Sequence, residues 1–237
     1  MMPVAAGGLD CLFTTQSMLV PLTYDLYDTF LFGEVKLLGF RAWYAHFKRL
    51  KREIGVSSII FVIGLYLGYT NQFPAIMNGQ LSRMEGIANT ISHMEHSQLW
   101  LFLFIFANNL ILSLLVMYTG AFFAIAPIYF LIMNGMVLGY LASTQLTSDK
   151  WLVFVKGILP HGIIEIPAVI VACAYGIRFG THVAENVVSF PFRERRMQAS
   201  AKLLGFMKHT IPFILVLGGA LLVAAVIEST LTLWLVR

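Results

Sequence analysis

The stretch "QLWLFLFIFANNLILSLLVMYTGAFFAIAPIYFLIMNGMVLGYLAS", residues 98–143, contains no Asp, Glu, Lys or Arg. A run of about 18 or more apolar residues is long enough to cross the hydrocarbon core of a bilayer as a helix. This stretch has room for two such helices, at about 98–118 and 120–143. The chain is therefore predicted to be an integral membrane protein.

The composition of the whole chain agrees with this prediction. Of its 237 residues, 58% are hydrophobic and 12% are charged, whereas soluble domains carry about 25% charged residues. So few charges would not cover a water-soluble surface. The net charge of +4 is modest, and no nucleic-acid partner is predicted. Cys11 and Cys173 are too few for a disulfide framework or a thiolate metal site.

Three further spans are predicted at about 54–69, 160–179 and 211–236. The first is short but can cross a bilayer together with its flanking residues. The fourth is expected to begin near Pro160, because proline suits the first turn of a helix. The predicted fold class is all-α: a polytopic membrane helical bundle with five transmembrane helices and an N-terminal interfacial amphipathic helix. Residues 1–35 are assigned to a cytoplasmic N-terminal segment, and residues 36–237 to the membrane bundle.

The interfacial helix is predicted from "VKLLGFRAWYAHFKRLKRE", residues 35–53, where aromatic and basic residues alternate at helical spacing. Such a helix lies in the membrane interface with its rings toward the lipid and its cations toward the phosphates. Trp43, Arg49 and Arg52 are the expected anchors, and membrane lipids are the expected partners.

The orientation is predicted from Lys and Arg, which are enriched in cytoplasmic loops. Both basic segments, residues 36–53 and the loop 181–210, then lie inside. The N-terminus is cytoplasmic, the C-terminus is outside, and residues 70–97 form an external segment. His93 and His96 in that segment lack an obvious third ligand, so no metal site is predicted.

Polar residues inside the spans form the candidate site, because ionisable residues in a membrane usually face the bundle interior. His161 and Glu165 are four apart and share one helix face. Two interpretations stay open: hydrogen bonds that hold helices together, or a functional site that relays ions or protons or polarises a substrate. The predicted buried polar cluster consists of Asn108, Asn109, Asn134, His161, Glu165 and Glu228.

Small residues four apart allow close approach of membrane helices. The predicted packing residues are Gly135, Gly139, Gly162, Gly176 and Gly180. The same spacing suggests self-association, most simply as a symmetric homodimer.

The polar and glycine residues together resemble the stage II sporulation protein M family, a group of small multi-span bacterial and archaeal membrane proteins. The resemblance covers roughly residues 40–235 and includes the string "HGIIEIPA", residues 161–168. The residues that carry it are Asn108-Asn109, Gly120, Asn134-Gly135, Gly139, His161-Gly162, Glu165, Pro167-Ala168, Gly176, Gly180 and Glu228.

The resemblance implies a non-enzymatic scaffold or assembly partner that recruits other membrane or envelope proteins during cell-envelope remodelling. The alternative is a component of a peptide, bacteriocin or lipid transport, export or immunity system. That system would use a separate cytoplasmic ATPase, because the chain has no phosphate-binding loop motif. An intramembrane hydrolase is disfavoured, since no Ser or Cys nucleophile accompanies His161 and Glu165 at a recognisable spacing. No catalytic residue and no cofactor are predicted.

Overall fold

A computed structural model describes residues 47–122, 124–147 and 151–232, without the side chain of His161 and those of several neighbours in the same helix. These residues form helices α1 Lys51–Tyr69, α2 Pro74–Ser92, α3 Ser97–Thr119, α4 Ile125–Thr147, α5 Trp151–Ser189, α6 Arg193–Met207 and α7 Thr210–Ile227, followed by a π-helix, Glu228–Thr232. The predicted all-α fold class is confirmed. Trp43 and most of the predicted interfacial helix lie outside the described residues, as does the N-terminal segment 1–35.

Within the described ranges, five segments are long and apolar enough to cross a membrane: Lys51–Tyr69, Ser97–Thr119, Ile125–Leu146, Gly162–Ser189 and Arg193–Thr230. The last includes the charged helix α6, so its apolar part is α7. The protein is therefore a membrane protein with five candidate transmembrane helices. Arg52 and Glu53 belong to the first of these helices, because α1 already begins at Lys51.

Helix α5 is the centre of the bundle, since it packs against α1, α3, α4, α6, α7 and the π-helix. Its middle is buried and rich in small residues, with Ala172, Cys173 and Ala174 at most 1% exposed. Small side chains let several helices approach one axis. At 39 residues, α5 is about 58 Å long, well beyond the roughly 30 Å of a hydrocarbon core.

The chain does not break at Pro160, where the fourth span was expected to begin. Helix α5 runs continuously from Trp151 through Pro160 and Pro167 to Ser189. A proline removes a single backbone donor. In lipid, an interrupted helix would leave further backbone groups unpaired, which favours continuation through both prolines.

The basic segment 181–210, expected to be a loop, is mostly helical. Helix α5 extends to Ser189, and α6 follows after a short connection. The reason is tertiary packing, which local sequence does not reveal: Phe206 of α6 lies 4.5 Å from the ring of Tyr175, measured between centroids. Tyr175 also stacks on Phe213 of α7 at 4.6 Å, and its hydroxyl is hydrogen-bonded to Thr210.

Helices α1 and α4 run in the same direction and touch backbone to backbone. A Cβ added at Gly64 would lie 2.5 Å from the Ile132 carbonyl oxygen, and one at Gly68 would overlap the Met136 carbonyl. On the α4 side, Gly135 and Gly139 face the backbone of α1 in the same way. The chain thus uses two glycine pairs, one on each helix, to bring α1 and α4 into direct contact.

The other predicted glycine pair lies on α5. Gly176 faces the Val116 carbonyl at the end of α3, and Gly180 faces the Gly120 carbonyl. Gly162, the fifth of the predicted set, is buried. The faces of Gly135, Gly139, Gly176 and Gly180 are therefore occupied within one chain, so these residues do not support the predicted homodimer.

Candidate functional site

The site lies where α3, α5 and the end of α7 meet. Asn109 is near the middle of α3 and Glu165 is on α5. Glu228 opens the π-helix that continues α7. These elements pack against one another, and the side chains of Asn109, Glu165 and Glu228 are each half-buried. The fold thus gathers three of the six predicted cluster residues, from three different helices, at one place in the bundle.

Asn109 and Glu165 are joined directly. The Asn109 amide donates a hydrogen bond to Glu165 Oε1 at 2.9 Å. A carboxyl group inside a bundle is unfavourable unless it is paired or hydrogen-bonded, and the amide supplies that partner. The contact joins α3 to the central helix α5.

Glu228 lies close enough to Glu165 for their charges to interact. Next to it, Gln98 at the start of α3 donates to the carbonyl of Ser229 at 3.0 Å. A short π-helix shifts the backbone hydrogen-bond register and is often found at functional sites. An open groove borders this region, lined by His96, Ser97, Gln98, Leu99, Phe102, Val226, Ser229 and Thr230.

The other three predicted residues have different surroundings. Asn108 is exposed on the outer side of α3, so it is not part of the buried site of a single chain. Asn134 donates to the Phe130 carbonyl of its own helix at 2.9 Å. His161 belongs to α5, but its side chain lies outside the described part of the chain.

A second polar contact, which is not among the predicted site residues, lies nearer the C-terminal end of α5. Arg178 Nη1 contacts Glu53 Oε1 of α1 at 2.8 Å, and the Glu53 side chain is 7% exposed. The second oxygen of Glu53 has no hydrogen-bond partner among the described residues. The usable signals were an acid among the basic residues before the first span, and an arginine within the apolar string "AYGIRFG".

The two polar contacts of α5 are about 20 Å apart along the helix, at about 1.5 Å for each of the intervening residues. Between them the buried residues are Ala168, Val169, Ala172, Cys173, Ala174, Tyr175 and Gly176. The packed middle of α5 therefore separates one polar contact from the other.

The described part of the chain gathers no three His, Cys, Asp or Glu side chains in a metal-binding arrangement. The chemistry that the cluster offers is hydrogen bonding and proton exchange by two carboxyl groups beside an amide.

The substitution Asn109→Leu is expected to reduce the free energy of unfolding by about 1–3 kcal/mol, because the half-buried Glu165 carboxyl loses its donor. The double substitution Asn109→Leu/Glu165→Leu should recover most of this loss, since replacing both partners of a buried hydrogen bond by apolar groups is nearly neutral. Unfolding of the purified protein in detergent micelles measures both values. A double variant as unstable as Asn109→Leu alone would contradict the role given to this hydrogen bond.

Fold and site together define a class of protein: a small all-helical membrane protein whose central helix carries polar contacts to its neighbours. The chain belongs to the stage II sporulation protein M family, whose model matches residues 55–233. The uncharacterized protein MJ0706 of Methanocaldococcus jannaschii is 25% identical over 194 residues, which cover 78% of this chain and 83% of that protein. No solved structure matches the chain significantly.

Proposed function

We propose that this protein is a non-enzymatic membrane scaffold or assembly partner that recruits other proteins at the membrane during cell-envelope remodelling. Membership of the stage II sporulation protein M family supports this proposal. The observation that carries it is a pair of helices outside the spans, α2 and α6. Helix α2 follows the C-terminal end of α1, whereas Phe206 of α6 packs in the same core as Leu50 at the other end of α1.

Helix α2 offers a surface for a protein partner. Only Met77 and Ile91 are buried among its residues, whereas Ile76, Met84 and Ile87 are 46%, 53% and 39% exposed. Large apolar side chains exposed together outside a core mark interaction sites more often than chance. On the predicted topology, α2 lies outside the cell and is the recruiting surface for envelope proteins.

The opposite end of the bundle is strongly basic, which supports a cytoplasmic position for it. The aromatic core around Tyr175 brings the start of α1 and helix α6 together there. The exposed cations at this end are Lys48, Arg49, Lys51, Arg52, Arg193, Arg195, Arg196, Lys202 and Lys208. We infer that the N-terminus is cytoplasmic, that the C-terminus is outside, and that this end contacts anionic lipid phosphates.

The scaffold proposal predicts that recruitment depends on α2 and not on the carboxyl group inside the membrane. The double substitution Met84→Glu/Ile87→Glu should lower partner capture roughly tenfold or more, because charges replace apolar contact residues. Glu165→Gln should leave capture unchanged, since an amide also accepts a hydrogen bond from Asn109. Partner capture is measured by crosslinking in intact cells followed by quantitative mass spectrometry.

The matched control is Asn78→Glu/Asn89→Glu, which adds the same charges to exposed positions on the other side of α2. Its capture should equal that of the unaltered protein. Loss of partners in Glu165→Gln, with full capture in the α2 variant, would contradict the scaffold proposal.

The second candidate is a membrane component of a peptide, bacteriocin or lipid transport, export or immunity system that works with a separate ATPase. The neighbouring carboxyl groups of Glu165 and Glu228 favour it, whereas the apolar layer between Glu165 and Arg178 argues against a polar pathway through one chain. Purified protein in liposomes, with and without its cognate ATPase, distinguishes the candidates. Flux that disappears in Glu165→Gln would support transport.

A further inference from the structure

Helix α3 presents an exposed amide halfway across the membrane. Asn108 is the central residue of Ser97–Thr119, and its side chain is exposed. It lies on one face with Trp100, Phe104, Ile111, Leu115 and Tyr118, which are 40% to 54% exposed. We call this face the exposed stripe of α3.

The aromatic ends of the exposed stripe fix the depth of Asn108. Trp and Tyr are enriched at the two membrane interfaces. Trp100 and Tyr118 are about 27 Å apart along the helix, close to the roughly 30 Å of a hydrocarbon core. Asn108 lies between them, about 12 Å from Trp100 and about 15 Å from Tyr118, and therefore near the middle of the bilayer.

An amide at this depth needs a partner, and the described part of the chain does not provide one. No described residue of the chain forms a hydrogen bond with the Asn108 side chain, whereas the adjacent Asn109 bonds to Glu165. Lipid tails offer neither donors nor acceptors, so a polar group facing them is unfavourable. Asparagine is also too short to reach the headgroups, as lysine and arginine do.

We propose that a second copy of this chain covers the exposed stripe of α3, with the two Asn108 amides hydrogen-bonded to each other across a two-fold axis. Two copies inserted in the same orientation carry Asn108 at the same depth, so an axis along the membrane normal brings the amides together. An amide is both donor and acceptor, and two of them satisfy one another reciprocally. Any other partner would need a matching polar group at that depth.

The interface differs from the one expected from glycine spacing. Gly135 and Gly139 contact α1 within the chain, whereas no described residue covers the exposed stripe of α3. Phe104, Ile111 and Leu115 supply the van der Waals contacts on either side of the amide, and interhelical hydrogen bonds of this kind stabilise membrane helix pairs.

Disulfide crosslinking in native membranes tests the geometry. In a background with Cys11→Ser and Cys173→Ala, Ile111→Cys and Leu115→Cys should each give a crosslinked dimer under mild oxidation. The controls Ile59→Cys and Ile63→Cys lie on α1, where the side chains are 63% and 50% exposed, and should stay monomeric. These variants keep Asn108, so the test does not depend on a folded Asn108 variant.

The contribution of the Asn108 amide is tested by measuring dimer dissociation in liposomes by fluorescence energy transfer. Asn108→Leu should raise the dimer dissociation constant about 3- to 30-fold, the range spanned by interhelical hydrogen bonds. Asn108→Gln should preserve most of the affinity, and Asn134→Leu, the same chemical change on α4, should leave it unchanged. A monomer at all protein concentrations would overturn the proposal. So would an affinity unaffected by Asn108→Leu, or stripe crosslinks that form only to a different protein.

Discussion

The substitution Gly139→Val is expected to prevent α1 and α4 from packing against each other. Without this contact the native bundle should not form. A side chain at this position meets the Leu65 carbonyl and, 2.8 Å away, the backbone nitrogen of Tyr69. Both obstacles belong to a helix backbone, which does not rotate aside as a side chain does. Overpacking a core by a few methyl groups lowers the free energy of unfolding by about 1–3 kcal/mol and occasionally more. Because the obstacle here is rigid, we expect Gly139→Val to lower it by about 3 kcal/mol or more.

Gly55→Val is the matched control, because Gly55 lies on α1 with nothing within 4 Å of its added Cβ. Its expected effect is small, since the substitution changes only helix propensity at an exposed position. The measurement is the fraction of protein that elutes as a folded species in mild detergent, together with its midpoint of thermal unfolding. If the folded fraction and the unfolding midpoint fall equally in the two variants, the contact between α1 and α4 is not the cause. The loss of stability would then come from placing a β-branched residue in these helices.

The sequence is sufficient to predict features that depend on local pattern. Long apolar runs define the five spans, and glycines four apart mark Gly135, Gly139, Gly176 and Gly180 as points of close approach. The same spacing occurs at Gly64 and Gly68 in "GLYLG", so glycine spacing also predicts this pair. What spacing alone does not reveal is which faces meet, and therefore whether a glycine pair serves the chain itself or a second copy.

Helix geometry by itself separates the directions of Asn108 and Asn109. Consecutive residues on an α-helix point about 100° apart, because a turn contains about 3.6 residues. The two amides of the twin asparagine therefore point in different directions. The structure separates the two residues: Asn109 bonds to Glu165 in the interior, whereas Asn108 is exposed on the outside of the single chain.

Long-range contacts were out of reach of pattern reasoning. Glu53 and Arg178 are 125 positions apart, and each also has a local explanation as a residue at a span boundary. Likewise, the helical order of the segment after α5 follows from contacts of Phe206 with Tyr175. These features depend on the relative position of α1, α5 and α6, which no single segment encodes.

The contact between Glu53 and Arg178 yields the second large prediction. Arg178→Met should destabilise the protein by about 3 kcal/mol, because a buried carboxylate is left without its countercharge. This is the lower end of the range for breaking buried ion pairs, about 3–5 kcal/mol, since the Arg178 side chain is 34% exposed. Arg193→Met, at an exposed position of α6, is the control and should change stability by less than about 0.5 kcal/mol.

A double-mutant cycle distinguishes loss of pairing from loss of packing around Arg178. When Glu53→Leu is added to Arg178→Met, the stranded charge is removed and apolar groups fill its place. Replacing both members of a buried ion pair by apolar residues is often neutral or stabilising, so the double variant should regain most of the lost stability. If the double variant is instead as unstable as Arg178→Met alone, the loss of the ion pair is not the cause. The arginine would then stabilise the junction of α1 and α5 through the packing of its alkyl chain.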